Sequence, residues 1–445
     1  MDARSTTEAA AGGPRVLLIA DHCSPAQTSV PLVSWYYYMA LRKRVGVHLV
    51  THARNREPIT RRLDGRVEGI TFIDSDAVHR PLLKMVRMLG ARNGKGWTMI
   101  SAAHTLAFYW FERLALREFG PRVARGEFDI VHRLTPLSTA TPSSVIHRWR
   151  APVVLGPLNG GLPWPPGFEN VRTKEREWLS PFRRLTRHLP GWRRTFRVAS
   201  CVISGSVDAW KQLEGVAAGK HVYLPRNGVD TGAFADSERP GRDASRPLEV
   251  VFVGRLVPYK GADVMLEACA GLMRAGRVRV TIAGKGPQME ELKGVVERLG
   301  VGGAVVFRGD VPHAELPGLY AASDVFVMPS IREFGGAVVL EAMSCGVPVV
   351  VADYGGPGEL ATPEVGCLVP LTTRAALVEG VREAVEGLEG DRGRLVEMGR
   401  AARRRAVEVF EWGAMAGPLV GVAEWVAGGC RGVASLPVGP VRGAG

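Results

Sequence analysis

Short, wholly apolar runs alternate with longer amphipathic stretches twice over in this chain, and that doubled alternation limits the fold more than any other feature. Arg15–Ala20 reads RVLLIA, and similar runs follow at Val45–Val50, Ile130–Val131, Val153–Leu155 and Cys201–Ser204. Strands of parallel sheets are covered on both faces, so they read as continuous Val/Ile/Leu segments. A second series occupies Leu248–Val253, Arg277–Ala283, Ala304–Arg308, Val325–Met328 and Val347–Val351. Helices are expected between its members, at Gly261–Ala275, Pro287–Leu299 and Ala337–Ser344. Such alternation requires right-handed crossovers and an α/β sheet. Turn chemistry at Asn227–Asp230 and a polar stretch with two prolines, Ser237–Pro247, separate the two series. A chain of 445 residues also exceeds one ordinary core. The expectation is therefore two Rossmann-like domains, 15–240 and 248–410. Trp412, Met415, Leu419, Val422 and Trp425 recur at helical spacing, which predicts a packed helix over 411–426. Residues 1–14 and 427–445 are expected to be disordered tails.

Composition removes several classes. Hydrophobic residues at 46% and charged residues at 23% exclude a disordered or collagen-like chain, and no solenoid period is present. The net charge is +13. Nine basic residues against two acids lie between Arg172 and Arg197, a face that attracts phosphates or is simply solvated. Cys23, Cys201, Cys269, Cys345, Cys367 and Cys430 show no metal-site or redox spacing, which fits a reducing cytosol. The amino-terminal segment lacks the apolar core of a signal peptide, and no apolar run is long enough to span a bilayer. A cytoplasmic location follows as the expectation. Trp97–Phe111 is apolar and aromatic, and Arg80, Lys84, Arg87, Arg92 and Lys95 precede it. This segment is either a core helix or a peripheral contact with the anionic inner face of a membrane.

Chemistry concentrates in the second series. Arg332–Glu341 reads REFGGAVVLE and places Glu333 in a loop after a strand. Phe334, Gly335 and Gly336 follow; glycine allows close approach of a ligand to the backbone. Ala337 then opens a helix whose amides favour an anion, with Glu341 about one turn inside. Val251–Gly261 ends a strand at Gly254 and presents Arg255 and Lys260 at the carboxyl end, where phosphates of a doubly wound sheet lie. A guanidinium fork and an ammonium together suit a diphosphate. Ile282–Pro287, with Gly284, and Tyr354–Glu359 are glycine turns after strands.

In order and spacing these segments resemble the carboxyl-terminal half of family-4 (group 1) retaining glycosyltransferases of the GT-B fold. The amino-terminal half is similar in outline. The resemblance implies two Rossmann-like domains facing each other across a cleft, and transfer of a hexose from a nucleotide-sugar donor with retention at the anomeric carbon. It implies that Glu333 contacts donor-sugar hydroxyls, that Glu341 holds the ribose, and that Arg255 and Lys260 stabilise charge on the leaving diphosphate. It implies no metal and no cofactor, the nucleotide-sugar being a substrate, and a helix at 411–426 returning to the first domain. Two departures stand out. Cys23-Ser24-Pro25-Ala26-Gln27 replaces the usual Gly-Gly loop, and the segment DIVHRLTP keeps His132 but has Leu134 at the usual second histidine. His132 is either catalytic or a packing histidine. Asn159, Gly160 and Gly161 are expected on the acceptor side. The acceptor is expected to be a glycan or lipid-linked glycan, with a small natural product as the alternative.

Parts of the sequence also fit rival assignments. Asp74-Ser75-Asp76 resembles the metal-binding pair of the other large glycosyltransferase fold. A dinucleotide site requires G-x-G-x-x-G, and Gly284-Lys285-Gly286 lacks the third glycine. A GT-B sugar epimerase is closer in fold. Nucleic-acid binding is suggested by charge alone and is not expected.

Overall fold

The computed structural model describes residues 13–88, 97–174, 191–235 and 245–430. The two expected tails beyond these limits, the centre of the interdomain stretch, most of the basic run at 172–197 and Arg92 and Lys95 lie outside the described residues.

Two parallel sheets form. The first contains β1 (Arg15–Ile19), β2 (Gly46–His52), β3 (Ile70–Ile73), β4 (Ile130–Arg133), β5 (Val153–Leu158), β6 (Cys201–Ser204) and β7 (His221–Tyr223), in the order 3-2-1-4-5-6-7. The second contains β8 (Leu248–Val253), β9 (Val278–Ala283), β10 (Val305–Gly309), β11 (Val325–Met328), β12 (Val349–Ala352) and β13 (Gly366–Val369), in the order 10-9-8-11-12-13. Central strands such as β11 and β12 are buried at every residue, as their apolar sequences require, and β4 is buried throughout although it ends in His132 and Arg133. The edge strand β10 is covered less completely, with Phe307 flanked by exposed Val306 and Arg308.

Strand order reverses at the first strand of each sheet, between β1 and β4 and between β8 and β11. Connections there leave toward opposite faces and open a crevice beyond the carboxyl ends, the place where such sheets bind ligands.

The chain divides into two compact units. One comprises 1–161, 176–226 and 412–445, and the other 162–175 and 227–411. The expected contiguous domain 15–240 is therefore interrupted. Residues 162–175, which lie in sequence between β5 and β6, pack with the second unit, because Phe168 enters that unit's core. The last helix, Trp412–Ala427, packs in the first unit. It buries Met415, Leu419, Val422 and Val426 beside the helix Val30–Arg42, and Trp412 stacks on Tyr36 with ring centroids 5.3 Å apart.

Candidate active site

The chain leaves β8 through Gly254 and Arg255 and turns at Pro258–Lys260. It leaves β11 through Ser330 and reaches the helix Ala337–Ser344 at Gly336. Because β8 and β11 flank the switch point, these two loops meet, and Lys260 Nζ pairs with Glu333 Oε2. Both side chains are largely shielded, at 14% and 18% exposure. Burial, with repulsion from nearby Arg255, pulls the Lys260 ammonium down to about 8. Arg255 itself is exposed.

Glu333 Oε1 accepts hydrogen bonds from the amides of Gly335 (3.2 Å) and Gly336 (3.3 Å). The carboxylate thus sits over a helix start, where partial positive charge accumulates. Gly336 has φ of 65°, a left-handed conformation that favours glycine. Phe334 lies against Arg332, with the guanidinium 5.0 Å from its ring, and Ala337 is exposed at the first helical position. Gly284 serves packing between loops: a Cβ there would stand 1.8 Å from the Gly254 carbonyl oxygen.

Glu341 is buried one turn into the helix. His313 Nε2 lies 3.0 Å from its Oε1, and Tyr320 Oη donates to Oε2 at 3.3 Å. The bond to Glu341 raises the His313 pKa, with burial opposing it. Neither His313 nor Tyr320 stood out in the sequence. The available signal was position: His313 lies in the loop GDVPHAEL directly after β10. The two acids are therefore handled differently, Glu333 beside cations and amides and Glu341 beside a histidine and a phenol.

The remaining sequence candidates belong to the first unit. His132 is 5% exposed in β4, and its Nε2 lies 2.7 Å from the Gly156 carbonyl, to which it donates. Burial lowers its pKa to about 4, with the Gly156 bond opposing. A neutral imidazole with its proton spent on a backbone carbonyl fits the packing reading. Asn159 is buried; its amide donates to the Leu137 carbonyl at 2.6 Å, and Ser206 Oγ donates to its Oδ1 at 3.0 Å. A Cβ at Gly160 would meet the tips of the Asp208 (2.2 Å) and Gln212 (2.8 Å) side chains, which would have to move aside, whereas Gly161 is exposed.

At the carboxyl ends of β1–β3 a second polar group gathers. Asp21 is buried and bonded by His22 (2.8 Å) and Thr135 (2.6 Å). Burial opposes its ionisation, but His22, Thr135 and Arg54 outweigh that and hold the carboxyl well below the usual range. Asp74 Oδ1 accepts from the Asp76 amide at 2.8 Å, and Asp76 pairs with Arg80. The Asp-Ser-Asp sequence thus makes a helix start. His52, Asp76 and His79 are spaced for a metal. However, His52 Nδ1 accepts the Arg54 amide proton at 3.0 Å, so its own proton sits on Nε2, the nitrogen that faces Asp76 at 3.5 Å.

Two parallel doubly wound sheets, with a paired cation and acid at the switch point of the second, define the GT-B architecture. Comparison with known proteins agrees. The family described as "Glycosyl transferases group 1" matches residues 235–405. A D-inositol 3-phosphate glycosyltransferase from Kineococcus radiotolerans is 31% identical over 327 residues, covering 66% of this chain and 71% of the relative. This chain belongs to the group 1 glycosyl transferases. A GDP-mannose-dependent alpha-(1-6)-phosphatidylinositol monomannoside mannosyltransferase from Mycolicibacterium smegmatis is 38% identical over 207 residues, 43% of this chain. The chain spans about half (52%) of that relative's length. The fold matches sucrose-phosphate synthase from Thermosynechococcus elongatus with a TM-score of 0.59 at 20% identity, covering 94% of this chain and 100% of the other.

Proposed function

We propose that this protein is a metal-independent, cofactor-independent retaining hexosyltransferase, which moves a sugar from a nucleotide-sugar donor to a glycan or lipid-linked acceptor. The pairing of Lys260 with Glu333 at the switch point, beside Arg255 and a helix start, is the observation that carries this reading. A diphosphate arriving there takes over Lys260 and Arg255, and charge growing on the leaving phosphate is stabilised by groups already in place. Glu333, released from Lys260, turns to hydroxyls of the donor sugar. Glu341, held by His313 and Tyr320, takes the ribose hydroxyls. The leaving phosphate accepts the acceptor proton on the same face, so the anomeric configuration is kept and no protein base is required at His132. The names of the relatives, with phosphatidylinositol monomannoside and D-inositol 3-phosphate among them, favour a polyol or lipid-linked acceptor over a small natural product.

Peripheral contact with an anionic membrane is part of this reading. Met85, Met88, Leu106 and Trp110 are exposed on the helices Asp76–Met88 and Trp97–Ala124, which pack on each other, and Arg80 and Lys84 are exposed on the first of these. Exposed apolar side chains and cations on two paired helices suit the headgroup boundary of a lipid surface. Among the described residues no helix is long and apolar enough to cross a membrane.

The test is thermal melting against nucleoside diphosphates and their sugars, with and without EDTA, for wild type and Glu341→Ala. A ligand at 100 times its dissociation constant stabilises by about 2.7 kcal/mol. The expected outcome is a rise with one base, unaffected by EDTA and lost in the variant. A rise only with metal, or with no nucleotide sugar, rejects the proposal.

A further inference from the structure

We infer that the segment 162–174, inserted between β5 and β6, is a strap that sets the donor loops, and that Trp164 and Arg332 are positioning residues for sugar transfer. This inference rests on the donor-site reading above. The strap follows directly on Gly161 and reads LPWPPGFENVRTK. Pro163, Pro165 and Pro166 fix φ and remove three amide donors, which stiffens an extended run that has no strand partner. Its carbonyl groups are then the polar atoms that need partners. Arg332 Nε donates to the Leu162 carbonyl at 2.9 Å, and Tyr354 Oη donates to the Pro163 carbonyl at 2.8 Å. Farther along, Phe168 is sunk in the core of the second unit.

These contacts fall on the three loops that build the donor site. The Arg332 guanidinium, 6% exposed, lies between two rings, 4.9 Å from Trp164 and 5.0 Å from Phe334. Residues 332 and 334 bracket Glu333, so clamping both fixes the backbone from which that carboxylate projects. Trp164 also meets Tyr259 edge to face, with centroids 6.4 Å apart, and Tyr259 precedes Lys260. The Tyr259 carbonyl in turn accepts from the Ile331 amide at 2.8 Å and from Ser330 Oγ at 3.0 Å. Tyr354 leads into Gly355 and Gly356, and the Gly356 amide donates to the Glu333 carbonyl at 2.9 Å. At Gly355 a Cβ would strike both the Glu333 carbonyl oxygen (2.5 Å) and Leu162 Cδ2 (2.7 Å). Phe168 and Val171 anchor the strap to the core. The Trp164–Arg332–Phe334 stack and the two captured carbonyls instead hold Lys260 and Glu333 in register, where a displacement of about 1 Å can cost about a hundredfold in rate.

Full-length Trp164→Ala, Trp164→Phe and Tyr354→Phe proteins are compared with wild type for kcat, donor KM, nucleoside diphosphate affinity and melting temperature. Trp164→Ala is expected to lower kcat by about tenfold or more, and to weaken nucleoside diphosphate binding by a smaller factor, because Glu341 and Arg255 lie outside the stack and still hold the nucleotide. Trp164→Phe, which keeps a ring beneath Arg332, recovers most of the rate. Tyr354→Phe removes one hydroxyl, keeps the fold, and moves kcat in the same direction. Unchanged kcat in Trp164→Ala and Tyr354→Phe overturns the inference. So does a loss of kcat matched by equal losses of nucleotide affinity and melting temperature, which marks a scaffold role alone. Wild type that binds no nucleotide sugar rejects the donor-site reading itself, a result distinct from either.

Discussion

Lysine and glutamate are seldom buried without a partner, and at the switch point Lys260 and Glu333 are each other's partner. Burial of Lys260, with Arg255 nearby, lowers its pKa to about 8, against the pull of the Glu333 carboxylate toward the charged form. The sign is set by the acid form: below about pH 8 the ammonium that the proposed donor site offers to phosphate is present, and above it the free enzyme loses that charge. Donor kcat/KM, which reports free-enzyme groups, is expected to fall as pH rises through about 8. In Lys260→Arg that limb is expected to move beyond the measurable range, whatever the absolute rate. An unchanged alkaline limb in the variant assigns it to another group. His132 illustrates the opposite case at this scale. Its residue type and its place in β4 allowed catalysis, but a buried imidazole at about 4 that donates to Gly156 is occupied by packing.

At the scale of elements, the loops work because glycines let them touch. Gly284 after β9 and Gly286 beyond it lie so close to β8's loop that a Cβ would stand 1.8 Å from the Gly254 oxygen and 2.1 Å from the Leu256 oxygen. The obstructing atoms are backbone and cannot rotate aside. Gly286→Ala is therefore expected to cost about 1–3 kcal/mol or more by overpacking, read as a lower urea midpoint with unchanged slope. Gly303→Ala, at a site with nothing within 4 Å of its Cβ, serves as the control and should stay within about 0.5 kcal/mol of wild type. Equal midpoints for the two variants contradict the packing role of Gly286. The sheets also show which elements a sequence displays. Central strands such as β1, β5, β8 and β11 are apolar runs because both faces are covered. β3, β7 and β13 lie at sheet edges, where one side of the strand has no neighbour and less covering is needed, so their runs stand out less.

At the scale of the molecule, two features cut across the order of the chain. Residues 162–175 leave the first unit's sequence for the second unit, and the chain re-enters the first at Trp412. The exposed apolar and basic surface of the helices Asp76–Met88 and Trp97–Ala124 gives a further expectation for the whole protein. It should float with vesicles of anionic phosphatidylglycerol and stay behind with pure phosphatidylcholine, with binding weakened by salt. Met88→Glu with Leu106→Glu should abolish flotation without lowering the melting temperature, since both side chains are more than half exposed, at 69% and 53%. Equal flotation of the double variant rules out this surface as the membrane contact.

The sequence by itself determined the fold class and singled out the loops that the proposed donor site uses. Buried parallel strands must be apolar, turns that approach a ligand must contain glycine, and groups for a diphosphate must be cations at carboxyl ends; each leaves a local mark at Val251–Gly261 and at Ser330–Glu341. Only the tertiary structure decided that Lys260 and Glu333 pair, that His313 and Tyr320 hold Glu341, and that a proline-rich connection after β5 grips Arg332 and Tyr354. Those outcomes depend on which surfaces meet across long sequence separations. A side chain's partners, its burial and the proton it carries are settled by that meeting and leave no pattern in the neighbouring residues.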